Sequence, residues 1–383
     1  MTSKECMLAA LSGKIPPRFP VVTPYSYLMQ CDHWTELTGK PSWTYYQWLH
    51  ATPEEHLEGY RILASKLPFD WLEPVWAPSR AERDVVTFEE RDGKHFQINT
   101  RTGTAWELNE DLPHRAGTAN QERRIFDKRD VNELIKVTPA ERSISSGHGD
   151  YVTAAVETFG KEKFILNGGV TGTFWNCTGY LGMTNLFAAI REEANLVDYL
   201  SQKLLEQIIE QIRALAVRGG DGIYIDDAIT TNDLISVDDY ERFSMPYVRE
   251  MVKEAQSLGQ KVILIYFGGI ADRVEQILSL QPDGLLMETS MKGYVNDLES
   301  IAAQVKDRTC LFGNIDPVGV VQKSTDEQLL EEIQRQVRIG RSLGSFVIST
   351  GSPITPLTSV ERTRQLIDIA RELGRTEISR HSY

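Results

Sequence analysis

One pattern constrains this chain more than any other. From about residue 160 onward, short apolar runs alternate with longer amphipathic stretches, the signature of repeated strand–helix units around a parallel sheet. The runs are Lys163 to Gly168, Gly222 to Asp226, Lys261 to Phe267, Gly284 to Glu288, Cys310 to Asn314 and Phe346 to Thr350. Each is brief and almost wholly apolar, as strands covered on both faces must be. Pro20 to Pro24 and Asp70 to Val75 read as two further strands, which brings the total to the eight that close a barrel. The expected fold class is α/β, a (β/α)8 TIM barrel, forming a single domain over residues 1–383.

Helical patterns fill the intervals at roughly 184–217, 237–257, 270–280, 294–306, 325–342 and 358–373. Ser236 before Val237-Asp238-Asp239 is a start signal, and Gly219-Gly220 after Arg218 is a stop signal. Residues 82–108 behave differently. Polar and apolar residues alternate there around Asp92-Gly93 and Thr102-Gly103, which are hairpin turns. This predicts an antiparallel β-hairpin region inserted after the second strand, with a polar linker that extends the insertion to about residue 129.

Charge and cysteine usage narrow the partners. Asp and Glu number 54 against 41 Lys and Arg, a formal charge of -13 that repels a phosphate backbone, so no nucleic acid is expected. No apolar run is long enough to span a membrane, and Met1-Thr2-Ser3-Lys4-Glu5 lacks a signal-peptide layout, so the expectation is a cytoplasmic protein with no membrane partner. Cys6, Cys31, Cys177 and Cys310 are scattered without a Cys-x-x-Cys pair and read as reduced, packed thiols.

In a parallel barrel, polar residues at the carboxyl ends of strands escape explanation by core packing. That rule nominates Tyr25, Asp70, Asn167, Asp226, Asp227, Tyr266, Glu288, Asn314, Asp316 and Ser352, each of which could instead cap a helix or fix a loop. Adjacent Asp226 and Asp227 point to opposite faces of an extended strand, so one enters the barrel mouth and the other faces a loop. Glu288 ends a very apolar strand, where desolvation would raise its pKa and suit it to proton transfer. His148, between Gly147 and Gly149, is a further acid–base candidate. Trp71, Trp76, Trp175, Tyr180, Tyr266 and Phe267 cluster near strand ends and suggest a pocket for a flat or apolar small-molecule substrate.

Several of these segments resemble the uroporphyrinogen decarboxylase superfamily. Lys4 to Val21 is similar to its first helix and strand, and Gly222 to Tyr247 to its strand, acidic turn and helix leading to a Pro-Tyr pair. Gly313-Asn314-Ile315-Asp316-Pro317 and Gly351-Ser352-Pro353-Ile354-Thr355-Pro356 resemble its last two loops. For a decarboxylase the resemblance implies that Asp70 binds pyrrole nitrogens and that Tyr180, ending Trp175 to Tyr180, is an active-site tyrosine. The arginine-rich segment that such enzymes carry after the first strand is Val22 to Gln30 here and holds no arginine. An octa-anionic substrate would lack its guanidinium partners.

The superfamily's corrinoid-linked thiol methyltransferases bind zinc through residues that match Ile265, Phe267 and Ser352, none of which replaces those ligands, so no metal and no zinc is expected. The remaining implication is a corrinoid (cobalamin)-dependent methyltransferase or demethylase acting on a small methylated compound. Asp70, His148, Asp226, Tyr266 or Glu288 would polarise or protonate the group that loses methyl. No Asp-x-His-x-x-Gly corrinoid motif occurs, so the corrinoid is expected on a separate protein or bound transiently. A homodimer is compatible with this reading. The alternatives are a decarboxylase of a cyclic or tetrapyrrole-like acid, and a non-catalytic ligand-binding barrel.

Overall fold

The eight expected strands all form, and the computed structural model places them in one parallel sheet; it describes residues 1–108 and 122–375. They are β1 (Val21–Val22), β2 (Trp71–Leu72), β6 (Phe164–Thr171), β7 (Gly222–Asp226), β8 (Lys261–Tyr266), β9 (Gly284–Met287), β10 (Cys310–Phe312) and β11 (Phe346–Ser349). Their order is β1-β11-β10-β9-β8-β7-β6-β2. The Asp70 amide donates to the Val21 carbonyl at 2.9 Å, which brings the two end strands together and nearly closes the barrel.

Alternation along each strand sorts the apolar side chains into two layers. Val22, Trp71, Phe164, Leu166, Ile263, Ile265, Leu286, Phe312 and Val347 fill the interior. Met7, Ala10 and Leu11 of the helix Ser3–Leu11 pack with them and stop the amino end. Ile223, Ile225, Val262, Leu264, Tyr266, Leu285 and Ile348 face outward into the layer shared with the helices. All four cysteines are buried free thiols, as expected. Among the described residues no helix is long and apolar enough to cross a membrane.

The expected insertion is present as an antiparallel sheet of β3 (Val86–Arg91), β4 (Lys94–Asn99) and β5 (Ala105–Glu107). Asp92 and Gly93 both have positive φ, 53° and 72°, as a tight two-residue turn requires. Its expected linker lies partly outside the described residues. Two of the expected helices are interrupted. The stretch 184–217 divides at Glu193 into Met183–Glu192 and Ala194–Ala216. The stretch 237–257 divides at Ser244, because Pro246 lacks an N–H and its ring cannot follow a helical turn. The helices Tyr27–Asp32, Trp34–Thr38, Thr44–Leu49 and Pro53–Lys66, between β1 and β2, were not expected from the sequence pattern.

Asp70 stands immediately before β2 and therefore at the amino end of the barrel, not at its mouth. Its carboxylate is fully buried and accepts from Arg18 at 2.8 and 2.5 Å, Arg371 at 3.1 Å, Ser3 at 2.6 Å and the Val21 amide at 2.7 Å. Burial alone would raise its pKa, but hydrogen bonds and charge from Arg18 and Arg371 outweigh burial and hold it below the ordinary value. This ionic cluster fastens the first helix, β1, β2 and the last helix, Val360–Leu373, at one point. Asp70→Ala leaves two guanidinium groups facing an empty acceptor site and should cost about 3–5 kcal/mol in chemical unfolding. A loss below about 1 kcal/mol would contradict this structural role.

Candidate active site at the barrel mouth

Each inward strand residue has the same parity as its neighbour two positions on, so the side chain after the last interior apolar residue emerges at the carboxyl end. On β2 the interior residue is Trp71, and Glu73 follows it on the same face. On β7 Tyr224 is followed by Asp226, on β8 Ile265 by Phe267, and on β9 Leu286 by Glu288. Glu73, Asp226 and Glu288 are 3%, 8% and 9% exposed, so all three carboxyl groups are buried at the carboxyl ends of their strands, and Glu73 and Asp226 both act on Tyr25.

Glu73 was not among the residues nominated from sequence. Its Oε2 accepts from the Ser26 amide at 2.9 Å and hydroxyl at 3.4 Å, while Oε1 is buried without a hydrogen-bond partner. Burial raises its pKa to about 7, opposed by the donors on Ser26 and by the Tyr224 hydroxyl. Pro74 immediately after it ends the strand, and that stop was the available signal: it marks Glu73, not Asp70, as the residue at the carboxyl end.

Asp226 enters the mouth as the alternation requires. It accepts from the Tyr25 hydroxyl and from the Ala228 amide at 3.0 Å, and burial raises its pKa to about 6 against the pull of Tyr25. Tyr25 holds φ at 49°, a left-handed conformation that a bulky residue adopts only when its surroundings impose it. Its ring meets Tyr27 edge-on at 5.8 Å, Tyr224 edge-on at 5.4 Å and Phe267 tilted at 5.7 Å. Gly169 makes room for this group, because a Cβ there would stand 2.0 Å from the Tyr224 ring. Glu288 accepts from Tyr294 and from Ser352, both at 2.5 Å. Tyr25, Asp226, Phe267, Glu288 and Ser352 are thus brought to one end of the barrel.

The other nominated residues hold the fold together or point away from the mouth. Tyr266 points outward and shares a 2.8 Å hydrogen bond with Tyr240 in the layer under the helices. Asn167 also points outward, because β6 continues past it through an irregularity between Leu166 and Gly169; its amide bonds Gln260 at 2.6 Å and its carbonyl accepts from Gly220. Asp227 faces a loop, where Ser244 at 2.6 Å and Thr230 at 2.8 Å donate to it. Trp71 lies inside the barrel beneath Glu73. Asn314 pins loops by donating to the carbonyls of Asn296 and Glu288, and Asp316 caps the short helix Pro317–Gln322.

His148 bonds the Ala77 carbonyl at 2.9 Å and lies near Trp76, which itself packs under Arg218. Trp175 and Tyr180 sit on the helix Thr173–Leu181, the latter under Arg124. A cleft of about 730 Å³ lies between the β1–β2 helices and β3, lined by Trp34, Lys40, His50 and Phe88 among others, and by none of the mouth carboxylates.

A raised carboxyl pKa is a destabilising load that grows with pH. The folded chain holds the Glu73 proton more tightly than the unfolded chain, so stability falls as pH climbs from the ordinary 4.5 to about 7 and levels off above. Glu73→Gln removes the load. It should match the parent near pH 4.5 and exceed it by about 3 kcal/mol at pH 8 in urea unfolding. A difference that does not change with pH would contradict the buried, protonated acid.

With this geometry in place, similarity to known proteins becomes informative. A model of the uroporphyrinogen decarboxylase (URO-D) family matches residues 111–373. The chain is 27% identical over 269 residues to the uroporphyrinogen decarboxylase of Psychromonas ingrahamii, a match that covers 66% of this chain and 70% of that one. It is 22% identical over 236 residues to the methylcobamide:CoM methyltransferase MtbA of Methanosarcina acetivorans, covering 60% and 65%. The solved structure of a methyltransferase from Methanosarcina mazei is similar over 97% of this chain and 99% of its own, with a TM-score of 0.66 at 16% identity, a likeness of fold. The match runs from the insertion through the last helix and takes in β6 to β11, with Asp226, Phe267 and Glu288: the chain belongs to the uroporphyrinogen decarboxylase family.

Proposed function

We propose that this chain moves a methyl group between a small methylated molecule and a corrinoid presented by a separate protein. The observation that carries the reading is the charge pattern of the mouth. Glu73, Asp226 and Glu288 are held by hydroxyl and amide donors, and neither Lys nor Arg contributes to the shifts of Glu73 or Asp226. Such a mouth repels a polycarboxylate and suits a neutral or cationic substrate. The relationship to a methylcobamide-dependent methyltransferase supports the same direction.

A corrinoid supplies a cobalt centre able to take or give a methyl group. The chain's own residues bind and orient the other reactant. Tyr25, Tyr224 and Phe267 offer ring surface for its apolar part. Glu73 and Asp226, with pKa values of about 7 and 6, each exist in two protonation states near neutrality. Protonated, they donate to the heteroatom that loses methyl; ionised, they stabilise positive charge on it, and in both cases the departing group leaves uncharged. At this end of the barrel, the strand-to-helix connections expose Leu234, Met291, Val295 and Leu357, and the first turn of the helix after β6 exposes Trp175. This apolar rim fits the face of a large macrocycle delivered from outside.

Decarboxylation of a cyclic acid is the second reading, favoured by the relationship to the Psychromonas decarboxylase. One experiment separates the two. The purified chain is incubated with cob(I)alamin and a panel of methyl ethers, thioethers and N-methyl compounds. The proposal expects growth of the methylcobalamin spectrum with at least one donor, slowed about 100-fold by Asp226→Asn. Carbon dioxide release from cyclic acids without cobalamin, with no methylcobalamin from any donor, would overturn it.

A further inference from the structure

Resting on that reading of the mouth as the substrate site, we infer that the methylated substrate is an organic ammonium cation, an N-methyl compound rather than a methyl ether or thioether. Two independent features of the mouth point to positive charge. The first is a buried carboxyl with no cationic partner. Glu73 is 3% exposed, with one carboxyl oxygen that no donor reaches at hydrogen-bond distance, and it shares the surroundings of Tyr25 with Asp226, itself 8% exposed. A buried carboxyl with a free oxygen is stabilised most by a cation brought to it, and the neighbouring side chains supply none.

The second feature is the ring arrangement around Tyr25. Tyr25, Tyr27, Tyr224 and Phe267 meet at centroid separations of 5.4–5.8 Å around Tyr25, two of the contacts edge-on, so ring faces turn toward more than one side. Tyr25, Tyr27, Tyr224 and Phe267 are each only partly buried. Aromatic faces attract alkylammonium groups through their quadrupoles, and carboxylates beneath them add charge; neither feature favours a neutral ether oxygen over its hydration in water.

An N-methylammonium substrate also agrees with the chemistry. Loss of a methyl group from ammonium nitrogen leaves a neutral amine, so Glu73 and Asp226 act as counter-charge and the reaction needs no prior proton donation.

Titration calorimetry with tetramethylammonium chloride tests the assignment on the full chain, with sodium chloride and neutral 3,3-dimethylbutan-1-ol as controls. Saturable binding of tetramethylammonium is expected, weakened about tenfold or more by Glu73→Gln and by Tyr224→Leu, with the alcohol not binding. Glu73→Gln retains shape, and thermal melts confirm that both variants are folded. Equal binding of the neutral alcohol, or affinity unchanged in both variants, would overturn the cation site. Absence of tetramethylammonium binding while methyl ethers or thioethers are demethylated would overturn it and leave the methyl-transfer reading standing. Cation binding without methylcobalamin formation from any donor would support the site and remove the methyl-transfer reading.

Discussion

The two-residue alternation of the barrel strands is the constraint on which the rest of this structure depends. Interior packing demands apolar side chains at Trp71, Ile265, Leu286 and Phe312, and pleating then sends the residues two positions further on to the mouth. Glu73, Phe267, Glu288 and Asn314 arrive there for the same geometrical reason, and Asp226 follows Tyr224 in the same way. The packed interior also explains their chemistry. Glu73 and Asp226, which rest on an apolar plug with few donors around them, bind protons more tightly than they would in water.

The two ends of the barrel use carboxylates in opposite ways, and Asp70 and Glu73 show this within one short segment. At the amino end, Arg18 and Arg371 surround Asp70 and hold it ionised, and the ion cluster ties together the first and last parts of the chain. At the carboxyl end, Glu73 lacks a cation and its pKa rises to about 7. Stability is concentrated where the strands begin, and electrostatic strain is left where they end. This division accords with the general placement of active sites in such barrels.

Much of this was legible in the sequence, because it rests on periodicity. All eight strands, the inserted antiparallel sheet and the opposed directions of Asp226 and Asp227 followed from local pattern. Misplacements arose where the direction of a strand or its regularity had to be known. Asp70 was assigned to the wrong end of β2, which hid Glu73. Asn167 was read as a strand end, whereas the irregularity after Leu166 lets β6 run on to Thr171. Tyr266 has the outward parity, and its inward neighbour Phe267 is the residue that reaches the mouth. The partnership of Ser352 and Tyr294 with Glu288 joins separate loops and has no local sequence signal.

The central claim is that the mouth holds buried carboxyl groups that change protonation near neutrality. Infrared difference spectroscopy of the carboxyl C=O stretch, titrated across the range from acid to neutral pH, measures this directly. Protonated-carboxyl bands that vanish with midpoints at about 6 and 7 are the expected result; the latter is lost in Glu73→Gln, and the former is reduced in Asp226→Asn to the share of buried Asp227, which titrates at the same midpoint. Complete ionisation of both groups by about pH 5, in the ordinary carboxylate range, would contradict the account.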